Sequence, residues 1–436
     1  MLPIVTILGR PNVGKSTLFN RLVRSNKSLV DDQAGVTRDR MYAKANLNGN
    51  DYLFVDTGGL GATEDILHEE VHEQVEIAIE ESDAIILVVD FNGGRLGVDR
   101  DIAARLRLVS QPLLLAVNKT EGREKNSAVA EFHELALGDP IAISARTGSG
   151  ISELTQELCN CVPSKNVERE DERPSLAVIG RPNVGKSTLV NSLAKCKRVI
   201  VADVPGTTRD MISVPIDWPG WPITVIDTAG VRRKSRVKEV IEQYSIVKTF
   251  QAVSASSVAL LLLDATEGIV EQDKTIAGLV LHSGRSIVVI VNKWDKLSKY
   301  EKRLFNRSLS LSFSFLPKHE AVRISALRGT GISNVMQASQ RAHESAIVDL
   351  PTGKLNRFLA EAIDRHPPAR LRGRAVNLKF AHQGGRNPPV VVIHGNLSNS
   401  LSPGYRRYLS NYFAEAFSLI GARIRIEVRA SANPYA

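Results

Sequence analysis

The sequence predicts an α/β protein made of two copies of one mostly parallel domain, followed by a small α+β domain. Apolar runs of strand length recur through residues 1–349, with helix-like segments between them. They form two series in the same order, and the character of the chain changes after about Asp349. Because strands covered on both faces read as continuous apolar runs, this alternation indicates parallel sheets with helices on both faces.

Five strands are predicted in each copy. They are PIVTILG, DYLFVD, AIILVVD, LLLAVN and PIAIS in the first copy, and LAVIG, ITVID, ALLLLD, IVVIVN and VRIS in the second. Gly180 follows Gly9 by 171 residues, and Asn292 follows Asn118 by 174. A repeat at nearly fixed offset over a whole domain predicts two copies of one fold.

The predicted domain limits are residues 1–161 and 175–349 for the two copies and 350–436 for the last domain. The linker at 162–174, VPSKNVEREDERP, is charged, bounded by prolines and poor in large apolar residues. In the last domain we predict a helix near Leu355 to Arg365, strands at AVNLKFAH and PVVVIHG, a helix near Tyr405 to Phe417 and a strand at ARIRIEVR. This order is typical of a small α+β domain, and no phosphate-binding loop is present in it.

Composition indicates ordinary packed domains, with 43% hydrophobic and 24% charged residues in a chain of 436. The cysteines Cys159, Cys161 and Cys196 form no metal-binding pattern, which favours a reducing compartment. No apolar run is long enough for a membrane span, and the N-terminus does not resemble a signal peptide. We therefore expect a cytoplasmic protein.

The positive charge is concentrated near the C-terminus. The whole chain has a net charge of +9, and residues 351–436 carry 13 Lys and Arg against 4 Asp and Glu. This one region therefore accounts for the entire excess. Such asymmetry favours a polyanionic partner such as nucleic acid, with a solvated basic surface as the alternative.

The nine residues GRPNVGKST occur twice, at Gly9–Thr17 and at Gly180–Thr188. The pattern G-x-x-x-x-G-K-[ST] predicts a phosphate-binding loop, because its glycines let consecutive amide N–H groups face one concavity at a helix N-terminus. Lys15 and Lys186 are expected to reach the outer phosphates. The serine after each lysine is expected to give its hydroxyl to Mg²⁺.

Two further motifs concern the γ-phosphate. DTGG begins at Asp56 and DTAG at Asp227, each at the end of a predicted strand, where the carboxylate can hold a Mg²⁺-bound water and the last glycine can meet the γ-phosphate. Thr37 and Thr208 lie in GVTRD and GTTRD between the loop and these strands. Such a threonine can complete the Mg²⁺ shell only while the γ-phosphate is present, which predicts a switch.

Recognition of the base is predicted from NKWD, which ends at Asp295. A carboxylate there can accept hydrogen bonds from guanine N1–H and the exocyclic amine, donors that adenine lacks on that edge. The first copy instead reads NKTE, so Glu121 either keeps this pairing through another rotamer or binds guanine more weakly. Ala145 and Ala326 are expected to offer backbone N–H groups to the guanine oxygen.

These motifs give three sets of predicted site residues. The residues predicted to bind GTP are Gly9, Asn12, Val13, Gly14, Lys15, Ser16, Thr17, Asp56, Gly59, Asn118, Lys119, Glu121, Ser144 and Ala145 in the first copy and Gly180, Asn183, Val184, Gly185, Lys186, Ser187, Thr188, Asp227, Gly230, Asn292, Lys293, Asp295, Ser325 and Ala326 in the second. The predicted catalytic residues are Lys15, Thr37, Lys186 and Thr208, and the predicted Mg²⁺ ligands are Ser16, Thr37, Asp56, Ser187, Thr208 and Asp227.

Two such domains in tandem, followed by a small basic domain, resemble the bacterial Der (EngA) family of GTPases. The resemblance covers the whole chain and includes DTAGVRRKSRV, NKWD and YRRYLSNYF. It implies a KH-like fold for the last domain and a role in assembling the large (50S) ribosomal subunit, with GTP, GDP and rRNA as partners. It also implies potassium as an activator, held partly by Asn12 and Asn183, although these asparagines could simply cap the loop turn.

Ras-like GTPases place a glutamine directly after DxxG, but this chain has Leu60 and Val231 there. Each domain is therefore expected to hydrolyse GTP slowly unless something else supplies charge, and the resemblance implies potassium for this role. We also expect a monomer, with a small regulatory protein among its partners. A GXXG loop for RNA is not evident, since Gly384–Asn387 reads GGRN. The basic run Arg232–Arg236 is another candidate surface for RNA, with a solvated basic face as the alternative.

Three alternatives remain open. The chain could be a scaffold in which one domain binds GTP without hydrolysis, the first domain being the suspect because of Glu121. It could be a tRNA-modification GTPase similar to the MnmE family, although that family ends in a reactive cysteine and this chain ends in NPYA. A metabolic phosphotransferase is disfavoured, because NKWD selects guanine and no acceptor site is visible.

Overall fold

The computed structural model describes residues 3–24, 42–56, 82–162, 173–195, 212–227, 249–369, 376–396 and 401–430. The described chain forms two compact units, residues 3–162 and residues 173–430. Within these ranges, no helix combines the length and apolar character that crossing a bilayer would require.

The first unit is built on a six-stranded sheet. Its strands are β1 (Ile4–Leu8), β2 (Tyr42–Leu47), β3 (Asn50–Asp56), β4 (Ala84–Asp90), β5 (Leu113–Asn118) and β6 (Ile141–Ala142), in the order β2-β3-β1-β4-β5-β6. Its helices are α1 (Lys15–Arg24), α2 (Gly97–Leu106), α3 (Lys125–Val129) and α4 (Ile151–Cys161), with a 3₁₀ turn at Ala130–Leu135. Only β2 pairs antiparallel, with β3, and the remaining neighbours are parallel.

Burial in β4 explains why the strand pattern reads as a continuous apolar run. All seven residues of β4 are buried. Ile86 and Val88 enter a hydrophobic cluster on one face of the sheet, while Ile85, Leu87 and Val89 enter a separate cluster on the other. Alternate side chains of one strand therefore fill two cores, as predicted for a sheet covered on both faces.

The second unit contains a sheet of the same topology. Its strands are β7 (Ser175–Ile179), β8 (Ile212–Trp218), β9 (Trp221–Asp227), β10 (Val258–Asp264), β11 (Ser286–Asn292) and β12 (Ala321–Arg323), in the order β12-β11-β10-β7-β9-β8. Its helices are α5 (Lys186–Lys195), α6 (Glu271–His282), α7 (Lys299–Ser312) and α8 (Ile332–Ile347), with a 3₁₀ turn at Trp294–Lys296. Read from β8 to β12, this order repeats that of the first unit, so the predicted duplication is confirmed.

The C-terminal part of the second unit is the predicted α+β arrangement. It comprises α9 (Thr352–Arg365), β13 (Leu378–Gly385), β14 (Val390–Gly395), α10 (Pro403–Ala416) and β15 (Arg425–Ala430). The strand order is β13-β14-β15, with the first pair antiparallel and the second parallel. Leu355 and Leu359 of α9 and Leu409 and Phe413 of α10 pack on one face of this sheet.

Main-chain hydrogen bonds attach this small sheet domain to the preceding sheet. The Ile287 N–H donates to the Gly421 carbonyl at 2.9 Å, and the Gly421 N–H donates to the Lys318 carbonyl at 2.6 Å. Gly421 has φ of 71°, and a Cβ there would lie 2.5 Å from the Ile287 oxygen. The position therefore requires glycine.

Candidate functional site

The two phosphate-loop motifs connect the end of a buried strand to the start of a helix, as the pattern predicts. Gly9 and Gly180 follow β1 and β7 with φ of 146° and 141°. A Cβ would lie 2.3 Å from the Val88 oxygen at Gly9 and 2.5 Å from the Leu262 oxygen at Gly180. Both glycines are therefore needed for the loop to approach the neighbouring strand.

Each loop lysine is held by carbonyl groups of its own loop. Lys15 Nζ donates to the Gly9 carbonyl at 2.7 Å and to the Arg10 carbonyl at 2.9 Å. Lys186 Nζ makes the same two contacts, with Gly180 and Arg181, both at 2.7 Å. Each ammonium group is thus fixed inside the curve of the loop, where phosphate oxygens are expected.

Burial also changes the acidity of Lys15. Desolvation lowers its pKa from 10.5 to about 8, and the nearby Asp56 carboxylate opposes this by favouring the charged form. A bound polyanion would favour the charged form further. The site thus holds a desolvated cation that a phosphate group can neutralise.

Asn118 and Asn292 tie the loop to the neighbouring strand end. Asn118 Nδ2 donates to the Val13 carbonyl at 2.8 Å, and Asn292 Nδ2 donates to the Val184 carbonyl at 2.8 Å. Their Oδ1 atoms accept hydrogen bonds from the backbone N–H groups of Ala145 and Ala326, at 2.9 and 3.0 Å. One side chain therefore links the phosphate loop to the SA segment in each copy.

This geometry bears on the prediction for Ala145 and Ala326. Their N–H groups are the donors to Asn118 and Asn292, so they already have acceptors. Donation to a guanine oxygen would require sharing or releasing these bonds. The role assigned to the two alanines stays a prediction.

The second glycine of each loop packs against the same asparagine. Gly14 and Gly185 have φ of 98° and 102°. A Cβ would lie 2.3 Å from Asn118 Nδ2 at Gly14 and 2.4 Å from Asn292 Nδ2 at Gly185. Any side chain at these positions would push the asparagine away from the loop.

Lys119 links the loop to the buried end of β4. Its Nζ donates to the Asn12 carbonyl at 2.9 Å and to Asp90 Oδ2 at 2.7 Å. In the second copy, Lys293 Nζ bonds the Asn183 carbonyl at 3.3 Å and pairs with the fully buried Asp264. The lysine that follows the asparagine of each NKx motif therefore braces the loop.

Asp90 and Asp264 were not among the predicted site residues. They end the runs AIILVVD and ALLLLD, which were interpreted only as strands. Asp264 follows Asp90 by 174 residues, the same offset that separates the two NKx motifs. That shared offset was the signal that could have placed the aspartates in the site.

Glu121 and Asp295 accept the same kind of hydrogen bond despite the different lengths of their side chains. Ser144 Oγ donates to Glu121 Oε1 at 2.7 Å, and this bond is the main cause of the lowered pKa of Glu121. A hydrogen bond from Ser325 likewise is the main cause of the lowered pKa of Asp295. Both groups are therefore carboxylates held by the serine of the SA segment.

The loop arginines are anchored by buried carboxylates. Arg10 Nε lies 3.3 Å from Asp99 Oδ2, and Arg181 Nε lies 2.9 Å from Asp273 Oδ1. Both aspartates are fully buried, and their other contact is with a backbone N–H that starts helix α2 or α6. Arg181 also bonds Glu267 at 3.0 Å. These pairs are not predictable from local motifs, because each joins residues about 90 positions apart.

The expected Mg²⁺ ligands are described in part. Ser16 and Ser187 lie one residue into α1 and α5, and Asp56 and Asp227 end strands adjacent to β1 and β7. A hydroxyl at the helix start and a carboxylate at the adjacent strand end form the sparse oxygen set that Mg²⁺ accepts while keeping waters. Thr37, Gly59, Thr208, Gly230, Leu60, Val231 and the run 232–236 lie outside the described residues.

The remaining loop positions support its shape. Val13 and Val184, which belong to the two loops, are fully buried. Asn12 and Asn183 share φ of 63°, a left-handed conformation that asparagine tolerates well. This conformation agrees with the turn-capping alternative for these asparagines.

Together, the two duplicated loops, the NKx motifs and the surrounding parallel sheets define a P-loop GTPase with two nucleotide-binding domains in tandem. Residues 4–119 and 175–293 match a family described as 50S ribosome-binding GTPase. Residues 350–429 match the KH-domain-like region of EngA bacterial GTPase enzymes. The chain belongs to the GTPase Der (EngA) family.

Relatives of that family align along the whole chain. GTPase Der of Thioalkalivibrio sulfidiphilus is 45% identical over 440 residues, covering 100% of this chain and 95% of the relative. GTPase Der of Halorhodospira halophila is 46% identical, with coverage of 100% and 93%. The predicted resemblance, KH-like domain and GTP hydrolysis to GDP and phosphate are therefore confirmed.

Among solved structures, Era of Aquifex aeolicus bound to GDP and AlF₄⁻ is 20% identical to this chain. The alignment covers 59% of this chain and 94% of Era, with a TM-score of 0.30. So low a score adds nothing to the assignment.

Proposed function

We propose that the protein is a GTP-driven switch that assists assembly of the large (50S) ribosomal subunit. The observation that carries the proposal is that both GTPase domains match a family described as 50S ribosome-binding. The basic C-terminal region, with 13 Lys and Arg against 4 Asp and Glu, supplies a surface suited to rRNA phosphates. GTP binding and hydrolysis would change which surfaces the chain presents to the particle.

The chain's own residues support phosphate binding before any nucleotide arrives. The glycines shape the loop, the asparagines Asn118 and Asn292 hold it, and Lys15 and Lys186 are fixed within it. Such preorganised donors need little rearrangement when charge develops on the γ-phosphate. Hydrolysis in each domain then depends on positioning and charge, as in other phosphoryl transfers.

Magnesium would be held by Ser16 and Asp56 in the first domain and by Ser187 and Asp227 in the second, with Thr37 and Thr208 completing the set. When bound, the ion neutralises phosphate charge. The proximity of Asp56 to Lys15 places a carboxylate beside the cation that faces the phosphates. The serine and aspartate positions therefore fit the ion.

Potassium would be held partly by Asn12 and Asn183. Both lie in the loop with the same backbone conformation, and their carbonyl groups accept from Lys119 and Lys293. Replacing sodium by potassium at constant ionic strength is expected to raise the hydrolysis rate. Equal rates in the two salts would remove the role proposed for the asparagines.

A scaffold in which only the second domain hydrolyses GTP has less support. Glu121 receives the same serine hydrogen bond as Asp295, so its extra methylene is accommodated. A tRNA-modification GTPase also has less support, because both relatives cited above are named GTPase Der. We extend the proposal to a monomer acting in the cytoplasm, with a small regulatory protein among its partners.

Sedimentation with purified 50S particles tests the proposal. The protein is incubated with particles in a non-hydrolysable GTP analogue or in GDP, and its fraction in the pellet is measured. We expect nucleotide-dependent association that weakens as salt rises, since phosphate contacts release counterions. Absence of association in both nucleotides would overturn the ribosomal part of the proposal and leave the GTPase activity intact.

A further inference from the structure

An exposed ring stack lies on the small C-terminal sheet. Phe380 of β13 is 45% exposed, and its ring stacks on His394 of β14 with centroids 4.4 Å apart and planes inclined by 3°. His382 lies next to the pair, 5.2 Å from His394. Aromatic groups this exposed and this nearly parallel offer a flat π surface to a third ring.

The register places this stack on the sheet face opposite the helices. Ala381 pairs with Ile393, and both belong to the core beneath α9 and α10. Phe380 pairs with His394 on the alternate positions. Since successive side chains of a strand point to opposite faces, the ring stack lies away from the helices.

Arginines stand beside the rings on the neighbouring strand. Arg429 of β15 pairs with His394 in the parallel register, and Arg425 lies on the same face four residues earlier. Their side chains are 60% and 44% exposed. Glu427 lies between them, 3.3 Å from Arg429 and 4.0 Å from Arg425. Because one carboxylate faces two guanidinium groups, these three residues leave a net positive charge on the face.

The histidine in the stack favours an uncharged ring. Burial, the neighbouring His382 and the Arg429 guanidinium all lower the pKa of His394. A neutral imidazole can stack beneath Phe380 without adding a charge between the rings. The face thus combines an apolar stack with cations at its edge.

We infer that this face, Phe380, His382, His394, Arg425 and Arg429, binds single-stranded RNA by stacking an unpaired base on Phe380. The arginines would meet the adjacent phosphates. Charge complementarity favours a polyanion over an apolar protein surface, and the π surface favours unstacked bases over a duplex, whose bases are not available for stacking. The inference rests on the proposed ribosomal function and specifies the part of rRNA that the domain would read.

The test measures binding of a fluorescently labelled, mixed-sequence 12-nucleotide RNA to the full chain by anisotropy. Phe380→Leu keeps an apolar side chain without a π face, and Phe380→Trp keeps the face. We expect Phe380→Leu to weaken binding by about five-fold or more and Phe380→Trp to preserve it. Leu327→Ala, at an 85% exposed position of the second GTPase domain, is the matched control and is expected to change nothing.

A duplex of the same length separates stacking from charge. We expect Phe380→Leu to leave duplex binding unchanged. The inference is overturned if Phe380→Leu weakens binding of both RNAs equally, or of neither. It is also overturned if Leu327→Ala weakens single-strand binding as much as Phe380→Leu does. Circular dichroism of each variant verifies that the fold is retained.

The same variants distinguish this inference from the proposed function. If wild-type protein sediments with 50S particles but Phe380→Leu neither loses RNA binding nor sediments less, the ring stack is not the RNA site, and the ribosomal function stands. If wild-type protein fails to sediment while Phe380→Leu still weakens single-strand binding, the site stands and its natural RNA lies elsewhere. If a protein or a GTPase domain covers the face instead, RNA binding will be the same in every Phe380 variant.

Discussion

The two nucleotide sites agree at the phosphate end and differ at the base end. Asn118 and Asn292 bond their loops at the same 2.8 Å, and the lysines reach the same pair of carbonyls. At the base end, by contrast, Glu121 stands where the second domain has Asp295. The contacts shared at the phosphate end involve backbone carbonyl groups, whereas the proposed base end also depends on a side chain that differs between the copies.

A second difference lies at the loop arginine. Arg181 contacts two carboxylates, Asp273 and Glu267, whereas Arg10 contacts Asp99 and packs over Gly93. Glu267 follows Gly93 by 174 residues, so the two positions correspond. A Cβ at Gly93 would lie 2.4 Å from the Arg10 guanidinium, which explains how one arginine occupies the space that a side chain fills in the other domain.

The largest effect is expected from removing the carboxylates that we propose recognise the base. Asp295→Asn should lower the GTP affinity of the second domain about 100-fold and admit xanthine nucleotides, because the charged acceptor for two guanine donors is lost. If Glu121 is its functional equivalent, Glu121→Gln should lower the affinity of the first domain by a similar factor. Calorimetry measures the GTP affinity of each domain. The loop lysine of the other domain is replaced by alanine, so that only one site is observed.

Glu121→Asp is the matched control for this comparison. It shortens the side chain to the length found in the second domain and should change GTP affinity only a few-fold. A large gain would mean that the first domain binds guanine poorly because of its glutamate. No change in Asp295→Asn would refute base recognition by this carboxylate altogether.

The next effect concerns the second loop glycine. Gly185→Ala should lower GTP affinity of its domain about 10-fold, because its Cβ would lie 2.4 Å from Asn292 Nδ2 and displace the bond that holds the loop. Gly14→Ala should act alike in the first domain, with the Cβ 2.3 Å from Asn118 Nδ2. Equilibrium nucleotide binding measures both.

Glycines in hairpin turns provide the controls. Gly49 and Gly220 have φ of 88° and 73° and nothing within 4 Å of an added Cβ. Alanine there carries the backbone strain of a left-handed residue, about 1–2 kcal/mol, without touching the site. If Gly220→Ala lowers GTP affinity as much as Gly185→Ala, strain rather than contact with the asparagine is responsible.

The sequence predicted the central parallel strands well because both faces of each strand are buried. It did not predict β2 and β8, which lie at the edges of their sheets and pair on one side only. The sequence of β2, YAKANL, mixes polar and apolar residues and so lacks the continuous apolar run of a central strand. The turn after β2 contained a usable signal, Asn48-Gly49, both with positive φ. In the C-terminal domain, β13 starts at Leu378, three residues after the start of the predicted strand AVNLKFAH.

In the candidate site, local motifs were predictable and long-range pairs were not. The loop glycines and lysines follow from a nine-residue pattern, whereas Arg10 and Asp99 meet only after β4 and α2 are packed. Asp90 likewise gains its role from Lys119, on the neighbouring strand end. Such pairs depend on the tertiary fold, which a single sequence shows only through the offsets of its repeat.

The smallest effect is expected from the second carboxylate at Arg181. The Glu267 side chain is 51% exposed, and Arg181 keeps the fully buried Asp273, so Glu267→Gln removes a screened ion pair worth about 0.5 kcal/mol or less. The thermal midpoint should fall by less than about 2 °C and GTP affinity should stay within about two-fold. Gly93→Ala is the reciprocal change in the first domain and should be equally mild, because only the far end of the Arg10 side chain must move. A loss of GTP affinity in Glu267→Gln alone would show that the second domain depends on a clamp that the first domain lacks, and the two sites would then differ at the phosphate end as well.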